Sequence, residues 1–330
     1  MRAVQVTSLA GPSAVELVEL PEPAAAGGKV LIEVEVAGVN FPDVLMTKGQ
    51  YQIRPALPFV PGSEVAGRVR SAPEGCDLEV GDRVAAFPGL GGFAEVVAAH
   101  EWAVFPLPDG VSFEAGAALL MNYLTVHFAL KRRGRLANGE ILLVHGAAGG
   151  IGTAGIQLGK AFGARVIAVA SSPEKQEVAR LAGADEVVGV ESFKEEVSSL
   201  TGGAGVDVVL DPVGGDRFTD SLRTLRPEGR LLVVGFTEGH IPTVKVNRLL
   251  HNNLDVVGVG WGAFWIRQPQ YLRQQWDEVV QLVTEGVFSP PIGESLPLER
   301  AADALSSIEE RRALGKLVLR PRTQPGLRGA

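Results

Sequence analysis

The chain is predicted to be an α/β protein built from a small β-rich domain, a doubly wound parallel sheet, and a C-terminus that returns to the first domain. Three observations predict this. Up to about Leu120 the apolar runs are short, strand-like and punctuated by Gly and Pro. From Met121 the pattern alternates between Val/Ile/Leu-rich strands and helical segments, as a parallel sheet covered on both faces requires. From about Ser289 short strand-like pieces come back. The expected boundaries are 1–120, 121–262 and 263–320, followed by a tail at 321–330.

In chain order, Val30–Val39, Glu64–Val69, Arg83–Phe87 and Phe93–Ala98 read as strands of a twisted sheet or partial barrel. Asn122–Lys131 reads as a helix, Ile141–His145 as a buried strand, and Ile151–Phe162 as a long helix. Arg165–Ala170 as strand and Pro173–Ala182 as helix complete a βαβ unit. Strands at Glu186–Val190, Val206–Leu210, Arg230–Val234 and Asp255–Gly260 follow, with a helix at Asp216–Leu225. Right-handed crossovers then wind the sheet in both directions. Gly315–Leu319 is a final strand.

Composition narrows the function. With 330 residues, 46% hydrophobic and 21% charged, the chain has enough material for two cores. A net charge of −7 argues against nucleic acid as a partner. The one dense basic cluster, Lys131, Arg132, Arg133 and Arg135, reads as a solvated helix end. No stretch reaches the length of a membrane span and the N-terminus lacks an apolar leader, so a cytoplasmic location is expected. One cysteine, Cys76, and five scattered histidines cannot build a zinc site, and no metal is expected. His145, on a buried strand, is expected to be a packed core residue.

The strongest local signal is the run from Ile141 to Ala164, where Gly146, Gly149 and Gly152 stand between strand and helix. A side chain there would block both the tight turn and the approach of a pyrophosphate to the helix N-terminus. At the end of the next strand, where an NAD site places an acid for the ribose hydroxyls, the chain reads Ala170, Ser171, Ser172. Ser172 and Pro173 look like N-cap and first helical residue. Lys175 in the first turn opposes the helix dipole, a conflict that the 2′-phosphate of NADPH would relieve, with Glu174 standing against it. NADPH is therefore the expected cofactor.

The stretches AGVNFPDVLMTKGQY, LPFVPGSEVAGRV, GDRVAAF, GGFAEVV, VHGAAGGIG, LDPVGGDRF, GRLLVVGF and GKLVL together resemble the zinc-free quinone oxidoreductase (zeta-crystallin-like) branch of the medium-chain dehydrogenase/reductase superfamily. The resemblance implies a GroES-like domain, an inserted Rossmann domain and an active-site cleft between them. It places Asn40 where zinc-dependent relatives carry Cys, and Ser63 where they carry His. It implies that Asn40, Asp43 and Tyr51 line the cleft and that Thr125 contacts the nicotinamide region. Ala148, Gly149, Gly150 and Ile151 would hold the pyrophosphate; Ser171, Ser172 and Lys175 the 2′-phosphate; and Gly235, Phe236, Thr237, Val259, Gly260 and Trp261 would contact cofactor at strand ends. Val190 departs from the pattern, standing where relatives often put Tyr or His. A homodimer is expected by the same resemblance.

Without a metal, charge developing on a substrate oxygen must meet hydrogen-bond donors, which favours a small conjugated acceptor. Tyr51 is the first candidate donor, with Asn40 positioning substrate or cofactor and Tyr123 a rival. Gly260–Pro269, rich in aromatics, suits a pocket wall or a subunit interface equally. Three functions fit: quinone reduction, reduction of an enone or enoyl-CoA thioester, and an NADPH-binding sensor or structural protein with little turnover. Only the basic cluster hints at a CoA substrate.

Overall fold

The computed structural model describes residues 1–322, and most of the predicted tail, 323–330, lies outside the described residues. The chain divides into two compact units. The first comprises Met1–Met121, Pro269–Thr284 and the segment from Ile292 onward. The second comprises Asn122–Gln268 and Glu285–Pro291.

The first unit is built on a seven-stranded sheet. Its long central strand, Lys29–Gly38, pairs antiparallel with Glu64–Ser71, with Val96–His100 and with the return strand Lys316–Arg320. Burial alternates along Lys29–Val36, with Val30, Ile32, Val34 and Val36 turned into the core. That period-two pattern is what a sheet with one packed face imposes. Ile292–Pro297 adds to the return strand in parallel, so the C-terminal segment contributes two strands to the sheet begun near the N-terminus. A short helix, Phe41–Thr47, leaves the central strand and carries Asp43 in its first turn.

A helix not foreseen from the sequence, Gln270–Thr284, also belongs to this unit. Its buried face is Leu272, Gln275, Trp276 and Val279, and Trp276 stacks on Phe105 at 5.3 Å between ring centroids. Ala301–Glu309, a second unforeseen helix, packs Ala304 and Leu305 into the same core.

The second unit holds a six-stranded parallel sheet in the order Glu186–Gly189, Arg165–Ala170, Ile141–Val144, Val206–Asp211, Leu225–Val233, Asp255–Gly258. Strand order reverses beside Ile141–Val144, the topological switch point of a doubly wound sheet. The central strands are buried along nearly their whole length, which explains their unbroken Val/Ile/Leu sequence. Beyond the unforeseen short helices Asn247–Asn252 and Trp261–Trp265, three details differ from the predicted elements. Helix Phe193–Leu200 was not foreseen, its apolar residues being Phe193 and Val197 at a spacing of four. The fifth strand begins at Leu225 rather than Arg230, immediately after helix Phe218–Thr224. The predicted helix Asn122–Lys131 is helical, but Leu119–Tyr123 and Phe128–Arg133 are wound with wider, i→i+5 turns. Among the described residues no helix is long and apolar enough to cross a membrane.

Candidate active site

The predicted polar residues of the first unit converge on a buried corner between the central strand, its neighbour Glu64–Ser71, and the return strand. Asn40 follows the central strand and caps helix Phe41–Thr47. Its backbone N–H donates to Asp43 Oδ2 at 2.8 Å, one arm of a capping box that satisfies a donor the helix cannot. The Asn40 side chain turns the other way. Its Nδ2 donates to Glu64 Oε1 at 2.7 Å, while Oδ1 accepts from Lys316 Nζ at 2.6 Å. Lys316 Nζ also meets Glu64 Oε1 at 2.5 Å, and Glu64 Oε2 accepts from the Met121 backbone N–H at 2.6 Å.

All four residues are buried: none of Asn40, Asp43, Glu64 and Lys316 exceeds 4% exposure. Carboxylate and ammonium survive such burial because each is paired and hydrogen-bonded. Space for the Glu64 carboxylate depends on Gly38, where a Cβ would fall 2.5 Å from Glu64 Oε1 and 2.5 Å from the Ala117 carbonyl. Burial pushes the Asp43 carboxyl up to about 7, opposed by its bond from Asn40 and by the charge of Lys316, and aided by Glu64. Tyr51, half-buried beyond the end of the same helix, packs against Val6, Met46 and Phe59. Burial, and secondarily the nearby Asp43 charge, raises its phenol above the usual range.

Neither Lys316 nor Glu64 was singled out in the sequence. The signal available was modest: a charge at the head of the strand KLVLR, ahead of its apolar run, and one at the head of EVAGRVRS. Ser63, next to Glu64, is buried and its hydroxyl has no hydrogen-bond partner. An amide, a hydroxyl and a carboxylate already paired with an ammonium are a poor donor set for zinc. Among the described residues no three His, Cys, Asp or Glu side chains are grouped to hold one.

In the second unit the predicted cofactor residues gather along the carboxyl edge of the parallel sheet. Strand Ile141–Val144 ends in the glycine turn, with Gly146 at φ 59°, and helix Gly150–Ala161 starts from Gly149 with no side-chain cap. A Cβ on Gly152 would lie 2.2 Å from the Gly146 carbonyl oxygen, so the turn closes this tightly only with glycine there. Ala148, Gly149, Gly150 and Ile151 thus surround a helix N-terminus whose first N–H groups lack intrahelical partners, a fitting cradle for a pyrophosphate. Asn122 packs on the same helix start, its Oδ1 2.4 Å from where a Gly150 Cβ would stand. Thr125, largely buried, lies on helix Leu124–His127.

At the next strand end Ser172 caps helix Pro173–Leu181, accepting from the Lys175 backbone N–H at 3.3 Å. The Glu174 backbone N–H, and secondarily the Ser172 hydroxyl, hold the Glu174 carboxylate below its usual range. Ser171, Ser172, Glu174 and Lys175 therefore share one helix start. Gly235, Phe236 and Thr237 follow the fifth strand, and Thr237 N–H donates to the Pro212 carbonyl at 3.1 Å. Val259 N–H donates to the Val233 carbonyl at 3.0 Å, and Gly260 and Trp261 open helix Trp261–Trp265. Val190 directly follows the strand ending at Gly189.

Tyr123 is placed less favourably for proton donation. Its hydroxyl donates to Gln157 Oε1 at 2.5 Å, its ring stacks on Phe288, and burial drives its phenol well above the usual range. Of the basic cluster, Arg132 lies over the Phe264 ring, Arg133 Nε donates to the Gly258 carbonyl and Arg135 pairs with Asp255. His145 is buried, 2.8 Å from Ser221 Oγ, and burial brings its imidazole down to about 4, so it is neutral at pH 7.

Known proteins with this arrangement are informative. The "Alcohol dehydrogenase GroES-like domain" family model matches residues 26–109, and the "Zinc-binding dehydrogenase" model residues 150–285. Quinone oxidoreductase-like protein 2 of Bos taurus is 39% identical over 88% of this chain and 84% of its own. The crystal structure of a probable oxidoreductase from Mycobacterium abscessus is 45% identical with a TM-score of 0.90, over 97% of this chain and 99% of that one. Quinone oxidoreductase from Thermus thermophilus, crystallised alone and with NADPH, is 37% identical with a TM-score of 0.84, over 97% of this chain and all of that one (100%).

Proposed function

The chain belongs to the quinone oxidoreductase branch of the medium-chain dehydrogenase/reductase superfamily, and from that premise we propose that it is an NADPH-dependent reductase of quinones working without a metal. The observation that carries the proposal is the glycine turn at the switch point, which only Gly152 allows to close, followed one strand later by Ser172 and Lys175. The turn suits the pyrophosphate, and the Ser172–Lys175 start, without an acid at the strand end itself, suits a 2′-phosphate.

When bound, the reduced nicotinamide supplies the hydride. The protein's part is to orient the acceptor and meet the negative charge that grows on its oxygen. Asn40 Nδ2 and the Tyr51 hydroxyl are the donors assigned to that oxygen, and a proton must reach it to complete the hydroquinone. A quinone suits such donors because conjugation spreads the arriving charge over two oxygens. Three cations of the basic cluster are engaged with their own chain, which gives no support to a CoA-binding entrance.

The second unit's edge strand, Asp255–Gly258, is the surface proposed for a homodimer. Its Val256 is exposed, as are Ile241, Val246 and Leu250 elsewhere in that unit. A second copy adding its own edge strand would satisfy the open backbone groups.

The deciding experiment follows NADPH oxidation at 340 nm against 1,4-benzoquinone, 9,10-phenanthrenequinone, a simple enone and crotonyl-CoA, with NADH as control. Turnover of the quinones with NADPH preferred is the expected result. Preference for the enone or the thioester would make this a double-bond reductase, and bound NADPH with no turnover would leave a binding protein.

A further inference from the structure

The corner around Asn40 holds a buried carboxylate and a buried ammonium, both hydrogen-bonded to one amide. Lysine can only donate, so the Asn40 atom 2.6 Å from Lys316 Nζ must be the amide oxygen, and the atom 2.7 Å from Glu64 must be the nitrogen. The orientation of an amide, usually ambiguous, is here dictated by its neighbours. Asn40 Nδ2 then retains a second N–H beyond the one given to Glu64. The ammonium that sets this orientation comes from the return strand, 276 residues along the chain from Asn40.

We infer that Lys316 is a positioning residue for the reduction: with Glu64 it locks the Asn40 amide so that the spare N–H is the group offered to the acceptor's oxygen. The inference rests on the assignment of Asn40 as a donor. Lys316 acts at a distance from the chemistry, through the amide it holds. Its charge has a second effect at the same corner, because it opposes the burial that raises Asp43. The charged and titratable groups facing Asp43 are Glu64 on the neighbouring strand, Lys316 on the return strand and Tyr51 beyond the helix.

The test uses the full chain. Lys316→Met alone would leave Glu64 buried without its ion partner, so the informative variant is Lys316→Met combined with Glu64→Gln, which removes both charges and keeps a side-chain carbonyl for Asn40 Nδ2. Lys316→Arg tests rescue by a retained cation. In the double variant kcat with 1,4-benzoquinone is expected to fall on the order of tenfold to a hundredfold, as for a donor displaced rather than deleted, with the NADPH Kd within about twofold of wild type. The Asp43 carboxyl, followed by NMR, should titrate at higher pH in this variant, since the ammonium lowers it by more than Glu64 raises it. Lys316→Arg should recover part of kcat and return the Asp43 titration toward wild type.

Placed in an Asn40→Ala background, the double variant should cost nothing further, because Lys316 works through Asn40. A folded double variant with wild-type kcat, or an equal loss in both backgrounds, overturns the inference and leaves the donor assignment intact. Asn40→Ala with full turnover removes the donor assignment, and the inference falls with it.

Discussion

Asp43 gives the site its clearest pH signature. Its folded value of about 7 lies above the ordinary 3.8, so between those values the native state keeps a proton that the unfolded chain has lost. The contribution of this group to stability is therefore greatest below about pH 4 and declines as pH rises toward 7, at up to about 1.4 kcal/mol per pH unit. Urea titrations at pH 5 and pH 8 should show Asp43→Asn gaining on wild type at the higher pH. Equal differences at both would contradict it. At the nucleotide corner two substitutions should pull apart. Lys175→Ala is expected to weaken NADPH by about 1–2 kcal/mol and leave NADH nearly unchanged, whereas Glu174→Gln should tighten NADPH, both read by fluorescence titration. Asn40 could be singled out as a candidate from the sequence because its motif is local. Lys316 was not, because a lysine at the head of an apolar strand looks like any other until the sheet sets it against Glu64, 252 residues away.

Among the elements, the glycine turn was the most legible, since the requirement for glycine is imposed by backbone sterics within seven residues, Gly146–Gly152. Gly152→Ala should damage the turn itself, raising the NADPH Kd by on the order of tenfold or more while the far-UV spectrum is retained. Helix Gln270–Thr284 was hidden by its composition. Its buried positions, Leu272, Gln275, Trp276 and Val279, do recur at helical spacing, but a glutamine sits within the stripe and charges surround it. Trp276→Ala removes the ring stacked on Phe105, and a loss of about 3–5 kcal/mol is expected in denaturant melts. The wide-turn segments Leu119–Tyr123 and Phe128–Arg133 left no mark in the sequence, for an extra residue per turn shifts apolar spacing too little to notice.

For the molecule as a whole, the alternation of strand and helix was enough to derive the doubly wound sheet, and the short strand-like pieces after Ser289 the return of the C-terminus, because burial on two faces and burial on one leave different periods. Quaternary structure is less legible, since one exposed valine on an edge strand resembles many others. If the edge strand Asp255–Gly258 pairs with its symmetry mate, Val256→Lys with Leu250→Glu should convert the protein to a monomer in light scattering without loss of the 25 °C fold. A variant that stays dimeric would place the interface elsewhere.

The return strand also sets a timetable. During synthesis the first 121 residues emerge early, yet Glu64 and Asn40 must wait for Lys316, near the end of the chain, before their charges and amides are matched. Until then the sheet of the first unit lacks Lys316–Arg320 beside its central strand, exposing an apolar edge. The parallel sheet, whose six strands all lie between Ile141 and Gly258, has everything it needs well before that. The nascent protein would therefore complete its parallel sheet before the corner of Asn40, Glu64 and Lys316, and depend longest on chaperones for the half that was made first.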